Sequence, residues 1–247
     1  MNKIAISLSK ISKVFKTDNQ KIVQVINDVS LDIIEGEIFI FVGPSGSGKS
    51  TLLRIMSGIE KSFGGEVRRS GEILKNDTSF VFQQFAIMPW LTVFQNVELA
   101  LIARDVKIEE RKSLVLKELK QLGLDKFKDS YPKDLSGGMR QRVGIARALV
   151  TNPKIIFMDE PFSELDSFTA EILRKEILDI WQNRRLTIVM VTHVVEEALE
   201  LADRIAVLTP RPARIEKIVI NNLGRPRHKR SQEFYKIEDE LYKLIKP

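Results

Sequence analysis

The stretch from Ile38 to Gly58 leaves this chain few folds. Wholly apolar Ile38–Val42 runs straight into Gly43-Pro44-Ser45-Gly46-Ser47-Gly48-Lys49-Ser50, and an amphipathic helical pattern from Thr51 to Met56 follows, with Gly58 as its stop. A short strand with no polar face is covered on both sides, as in a parallel sheet flanked by helices. The octapeptide fits the phosphate-loop pattern G-x-x-x-x-G-K-[ST]. Its glycines let the backbone curl so that successive N–H groups face inward around phosphate oxygens, and the helix start adds its partial positive charge. Lys49 has the reach for β- and γ-phosphates, and the Ser50 hydroxyl suits a magnesium ion. The expected nucleotide cradle is Gly43, Pro44, Ser45, Gly46, Ser47, Gly48, Lys49, Ser50 and Thr51.

Three more apolar runs, Ile155–Met158, Ile188–Val191 and Ile205–Leu208, alternate with longer helical patterns, which again predicts a parallel α/β sheet. Notable residues follow these strands directly: Gly43, Asp159 and His193. Ligands of open α/β sheets collect at such carboxyl ends. Asp159 can hold the magnesium shell, and Glu160 beside it can polarise an attacking water. An acidic strand end is common and weak by itself; a phosphate loop in the same chain gives these two carboxylates a use. His193 is one of two histidines. A lone histidine at a strand end is more often structural, but here its position suits a γ-phosphate sensor or water-positioning group.

Between about Thr92 and Val150 the texture turns helical, without a convincing strand. Ile108, Val115, Leu119 and Leu122 form one stripe, with Gly123 as a stop, and Val143, Ala146 and Leu149 form another. One domain is expected, with an α/β core over 1–84 and 151–220, a helical subdomain over 85–150 and a basic C-terminal extension over 221–247. The absence of cysteine excludes disulfides and thiolate metal sites. No apolar run is long enough to span a bilayer, and the N-terminus lacks a signal-peptide core. Part of the +6 formal charge lies in Arg225, Arg227, Lys229 and Arg230, expected to form a solvated basic tail.

Leu135-Ser136-Gly137-Gly138-Met139, followed by Arg140-Gln141-Arg142, narrows the field further. Ser136 and the bare backbone of Gly137 and Gly138 at a helix start make a second anion-binding surface. With this motif the sequence resembles the ATP-binding-cassette family over about residues 4 to 220. The resemblance implies a RecA-like phosphate-loop NTPase core with an inserted α-helical subdomain, and ATP with Mg2+ as cofactors. It implies that Ser136, Gly137 and Gly138 meet, in trans, the γ-phosphate of ATP held by a second copy of the chain. Phe15 resembles the aromatic that stacks on adenine, although a core phenylalanine fits almost as well. Gln83 resembles the glutamine that links the magnesium site to the helical subdomain. The implied catalytic set is Lys49, Gln83, Glu160 and His193, and the metal set is Ser50, Gln83 and Asp159. Ser163-Glu164-Leu165-Asp166 resembles the loop that crosses the dimer interface, with Glu164 where alanine is usual.

Met88-Pro89-Trp90-Leu91-Thr92-Val93 and Gly224-Arg225-Pro226-Arg227 look like the nitrate, sulfonate and taurine importers. The implied partners are a transmembrane permease and an extracytoplasmic solute-binding protein, with this chain peripheral on the cytoplasmic face of the membrane and no nucleic acid bound. Phe85 to Trp90 is a candidate surface for the permease; its apolar side chains could equally pack the subdomain. A chromosome-maintenance or repair ATPase is the main rival, but no sustained heptads separate Ser50 from Ser136. A ribosome-associated cassette protein, usually carrying two cassettes, is the other.

Overall fold

A computed structural model describes residues 3–16, 20–71, 73 and 75–245. Residues 1, 2, 17–19, 72, 74, 246 and 247, which fall in the expected core and at the end of the C-terminal extension, lie outside the described residues. In chain order come β1 (Ile4–Lys16), β2 (Ile22–Ile34), β3 (Ile38–Val42), α1 (Lys49–Ser57), β4 (Gly64–Arg69), β5 (Thr78–Val81), α2 (Val93–Ile102) and α3 (Ile108–Gln121). Then follow α4 (Gly137–Leu149), β6 (Ile155–Asp159), α5 (Ser167–Arg184), β7 (Thr187–Thr192), α6 (Val195–Leu201), β8 (Arg204–Leu208), β9 (Ile215–Ile220) and α7 (Gln232–Ile245). They pack as two compact units: residues up to Ile73 join those from Thr187 on, and the residues between make the second.

In the first unit β3 lies between β7 and β8, parallel to both, and β9 pairs antiparallel with β8. Every residue of β3 and β7 is buried, which is why their sequences show no polar face. Gly58 ends α1 as expected, in the left-handed region with its N–H on the carbonyls of Arg54 and Ile55. A second sheet, β2-β1-β4, is antiparallel throughout, and the sequence did not announce it. Register shifts along the β1–β2 pairing, with Lys10 and Asp28 at positive φ, break the period of two that would reveal these strands.

The C-terminal extension corrects an expectation. Its basic cluster is not a solvated tail: three of its four cations are tied into the first unit. Arg225 bonds Asp203 at 2.6 Å and also donates to the Leu201 carbonyl. Arg227, its side chain 1% exposed, donates to the carbonyls of Leu199, Glu200 and Leu223. Burial, with Arg225 nearby, pushes the Arg227 guanidinium down to about 10, so it is still a cation at neutral pH. Lys229 pairs with Glu196 at 2.6 Å and Glu200 at 3.2 Å, while Arg230 is exposed. The end of a short helix, α6, leaves carbonyls without intrahelical partners, and these arginines satisfy them. After this cluster comes α7, which buries Phe234 and Leu241 and packs on α6.

In the second unit β5 lies parallel to β6, and α2, α3 and α4 pack together. No strand interrupts residues 92–150. Thr92 and Gln95 form a capping box that starts α2. Asn96 is fully buried; its amide donates to the carbonyls of Met88, Leu91 and Thr92 and accepts from Met88 N–H, which pins the preceding loop. Glu118 of α3 pairs with Arg184 of α5 at 2.9 Å. Burial pushes the Glu118 carboxyl up, and its pairing with Arg184 offsets only part of that rise. Among the described residues no helix is long and apolar enough to cross a membrane.

Candidate nucleotide-binding site

The phosphate loop belongs to the first unit, where β3 delivers it and α1 takes it away. Gly46 and Gly48 have φ of 73° and 108°, as the curled backbone requires. A Cβ on Gly48 would stand 2.9 Å from Val25 Cγ1, and one on Gly43 would stand 2.9 Å from the Leu208 carbonyl oxygen. The loop is therefore packed from outside as well as shaped from within. Lys49 is 4% exposed, and its ammonium donates to the carbonyls of Gly43 at 2.9 Å and Pro44 at 3.0 Å, which turns the side chain back over the loop. No side chain caps the start of α1 and its first turn carries no acidic residue. The Ser47 hydroxyl is buried with no hydrogen-bond partner among the described residues. First-turn amides without a side-chain cap, a buried cation and an unsatisfied hydroxyl fit a bound phosphate chain.

Phe15, at the end of β1, is 41% exposed, so it is not a core phenylalanine. The Lys13 ammonium lies over its ring, 4.5 Å from the centroid, and itself pairs with Glu60 at 3.2 Å. His193 is exposed, one residue past β7. Thr192 before it accepts from Val194 N–H at 3.1 Å and donates to Glu197 at 2.7 Å, which fixes that turn.

The second unit carries the other group of residues. Asp159 ends β6 and is 2% exposed. Glu160 follows with φ of 44°, a left-handed conformation uncommon for a side chain of this size. Ser163 N–H and hydroxyl both bond the Glu160 carbonyl, at 3.2 and 3.0 Å, and hold that conformation. Strain of about 1–3 kcal/mol tends to persist where geometry serves a site. Gln83 is exposed, two residues past β5.

Ser136 caps α4, its hydroxyl accepting from Met139 N–H at 3.3 Å, and it is exposed. Any Cβ on Gly138 would collide with the Thr169 methyl, and one on Gly137 would meet the Glu164 carbonyl at 3.6 Å. Gly138 thus allows α4 to abut the start of α5, whereas at Gly137 a Cβ would make only an ordinary contact with the Ser163–Asp166 loop. At Glu164 the backbone faces the glycine and the residue is exposed, so the departure from alanine leaves this contact unchanged. Gln141 is 1% exposed and neither of its amide atoms has a hydrogen-bond partner among the described residues.

The Phe85–Trp90 segment divides. Phe85 and Ala86 lie on the α4 face made by Arg140, Gly144 and Arg147: Arg147 donates to Ala86 O at 2.7 Å and Phe85 O at 3.3 Å, and Arg140 stacks on the Phe85 ring. A Cβ on Gly144 would stand 3.1 Å from Phe85 O. Phe85, Ile87 and Met88 are half-buried, whereas Trp90 is 70% exposed. Sequence reasoning missed Lys13, Asp203 and Arg211. Only Arg211 had a nearby signal, the proline punctuation around it.

A phosphate loop between a buried parallel strand and a helix, with an acid-ended parallel strand in the same chain, defines a phosphate-loop NTPase. Residues 26–163 match the ABC transporter family model, and the chain belongs to that family. Its place there is the ATP-binding, ATP-hydrolysing component. It is 37% identical over 241 residues to the aliphatic sulfonates import ATP-binding protein SsuB of Bacillus thuringiensis subsp. konkukian, covering 96% of this chain and 94% of that one. It is 38% identical over 253 residues to the nitrate import ATP-binding protein NrtD of Synechocystis sp., covering 98% and 95%. A dimeric ATP-binding cassette solved in a post-hydrolysis state with ADP and Pi superposes with a TM-score of 0.77 at 35% identity, covering 88% of this chain and 99% of that one.

Proposed function

We propose that this chain powers uptake of a small anion, such as nitrate, a sulfonate or taurine, through a separate transmembrane permease. The single observation that carries the uptake reading is the near full-length likeness to import ATP-binding proteins. Two copies of the chain sandwich ATP. Gly43 to Thr51 cradle the phosphates of one nucleotide, Lys49 neutralises the β- and γ-phosphates, and Phe15 carries the adenine. Ser136, Gly137 and Gly138 of the other copy meet the γ-phosphate. Ser50, Gln83 and Asp159 would hold a magnesium ion, which would supply charge neutralisation at the phosphates; among the described residues no cluster of three His, Cys, Asp or Glu side chains offers a cage of its own. Glu160 takes a proton from the attacking water as the β–γ phosphoanhydride bond breaks, giving ADP and phosphate, while His193 positions the γ-phosphate and Gln83 links the metal to the helical segment. Positioning and electrostatics dominate such phosphoryl transfer.

The permease would dock near Trp90, whose exposure leaves it available, with an extracytoplasmic solute-binding protein delivering the anion. The chain would then be a peripheral subunit on the cytoplasmic face of the membrane. A nucleic-acid partner loses its motive, because Arg225, Arg227 and Lys229 are engaged within the first unit. The sandwich is tested by Ser136→Arg, which adds bulk and charge at the proposed trans contact. With Mg2+ and a slowly hydrolysed ATP analogue, the unaltered chain is expected to elute as a dimer and the variant as a monomer that still binds the analogue. A variant that dimerises like the parent contradicts the sandwich.

A further inference from the structure

The turn after β8 touches the phosphate loop from outside. Thr209 N–H bonds Arg214 O at 3.0 Å, Arg214 N–H bonds the Thr209 hydroxyl at 3.0 Å, and that hydroxyl donates to Pro212 O at 3.2 Å, so the turn closes on itself. Ala213 ties it to β2 through Ala213 N–H to Val25 O at 2.8 Å and Asn27 N–H to Ala213 O at 2.9 Å. From this anchored turn the exposed Arg211 reaches across and donates to the Gly46 carbonyl at 3.0 Å.

The consequence follows from peptide planarity. In a trans peptide the carbonyl of one residue and the N–H of the next point in opposite directions. Arg211 holds the Gly46 carbonyl on one side, and on the other Ser47 N–H bonds Pro44 O at 3.2 Å, across the loop. One peptide plane at the tip of the loop is thus pinned at both ends. That peptide's own N–H is taken up by Pro44 O, so the brace acts on the flanking amides of the loop, whose orientation it restricts. Donors that are oriented before the ligand arrives lower the cost of binding it.

From this geometry we infer that Arg211 is a positioning residue for the nucleotide: it braces the Gly46–Ser47 peptide so that the phosphate loop is preorganised, without itself touching the phosphates. The inference rests on the phosphate-loop assignment of the preceding subsection. A brace acts on the loop rather than on one phosphate, so ADP and ATP should suffer alike.

Binding of fluorescent ADP and ATP analogues to the full chain, with Arg211→Ala and Arg211→Lys, reads this out. For Arg211→Ala we expect both affinities to fall by the same factor, about three- to tenfold, the range of one hydrogen bond. KM for ATP should rise by the same factor with kcat unchanged, and Arg211→Lys should recover part of the loss. Amide exchange across the phosphate loop of the nucleotide-free variant should quicken while β1 and β2 stay as protected as in the parent. Unchanged affinities or unchanged loop exchange would overturn the inference, as would a loss confined to ATP, which would mean direct contact with the γ-phosphate. Lys49→Ala separates the two levels of the account. If it abolishes binding while Arg211→Ala does nothing, the brace fails and the nucleotide site stands; if it too binds normally, the site assignment fails.

Discussion

Replacing Glu160 by glutamine is expected to stop turnover while leaving ATP bound. The substitution keeps the shape and the hydrogen-bonding reach of the side chain but removes its capacity to accept a proton from water. General-base groups contribute about 10²- to 10⁴-fold to rate, so steady-state hydrolysis should fall by at least the lower figure. Its backbone at φ 44° is held by Ser163, which the substitution leaves intact, so the loop geometry should survive. Because hydrolysis is what opens the proposed sandwich, Glu160→Gln should also accumulate as an ATP-dependent dimer on size-exclusion chromatography. Phosphate release measured beside the elution profile decides the matter. Normal phosphate release would remove Glu160 from the chemistry, and lost release with lost ATP binding would make it a structural residue instead.

The second large effect belongs to Asp203, a residue no motif marks. One of its carboxylate oxygens accepts from Ile38 N–H at 2.9 Å, at the head of the strand that delivers the phosphate loop. Its other oxygen faces Arg225 at 2.6 Å and Arg227 at 3.9 Å. Asp203→Ala leaves the Ile38 amide without this partner and strands two largely buried guanidinium groups together. Removing one member of a buried ion pair costs about 3–5 kcal/mol. Asp203 itself is 32% exposed, so partial hydration of the gap should reduce the loss to about 2–3 kcal/mol. For a chain of this length that corresponds to a melting temperature lower by about 4–12 °C. Asp203→Asn, which keeps an acceptor for Ile38 but not the charge, should fall between parent and alanine in thermal melts. A melting temperature for Asp203→Ala within a degree of the parent would contradict the role assigned to the C-terminal segment.

Much of this molecule was legible before its structure. β3, β6, β7 and β8 stood out because strands buried on both faces keep no polar residues, and the phosphate loop stood out because its backbone tolerates so few substitutions at Gly43 and Gly48. The two stripes at Ile108–Leu122 and Val143–Leu149 became α3 and α4, except that Ile108, at the start of α3, is 69% exposed and only Val115, Leu119 and Leu122 of the first stripe are buried. The β2-β1-β4 sheet stayed hidden because its bulges displace the alternation on which strand recognition depends. The basic cluster misled because composition counts charges without their partners; besides the Asp203 carboxylate, Arg225 and Arg227 bond backbone carbonyls, three of them in α6, and such groups are identical in every sequence. The role of Arg211 stayed hidden for a related reason: the prolines around it mark a turn, but it acts on the carbonyl of Gly46 and not on a side chain. Phe85 to Trp90 could not be divided into packed and exposed members until Arg140, Gly144 and Arg147 were seen to share one face of α4.

The central claim is that ATP hydrolysis by this chain serves a membrane permease. Its most direct test is affinity purification of the full chain from detergent-solubilised host membranes, with the co-purifying proteins identified and quantified by mass spectrometry. The account predicts a multi-spanning membrane protein in stoichiometric amount, whose identity would lead to the transported anion. Recovery of soluble proteins or nucleic acid alone, from intact and well-expressed material, would contradict it and return the ATPase to one of the rival classes.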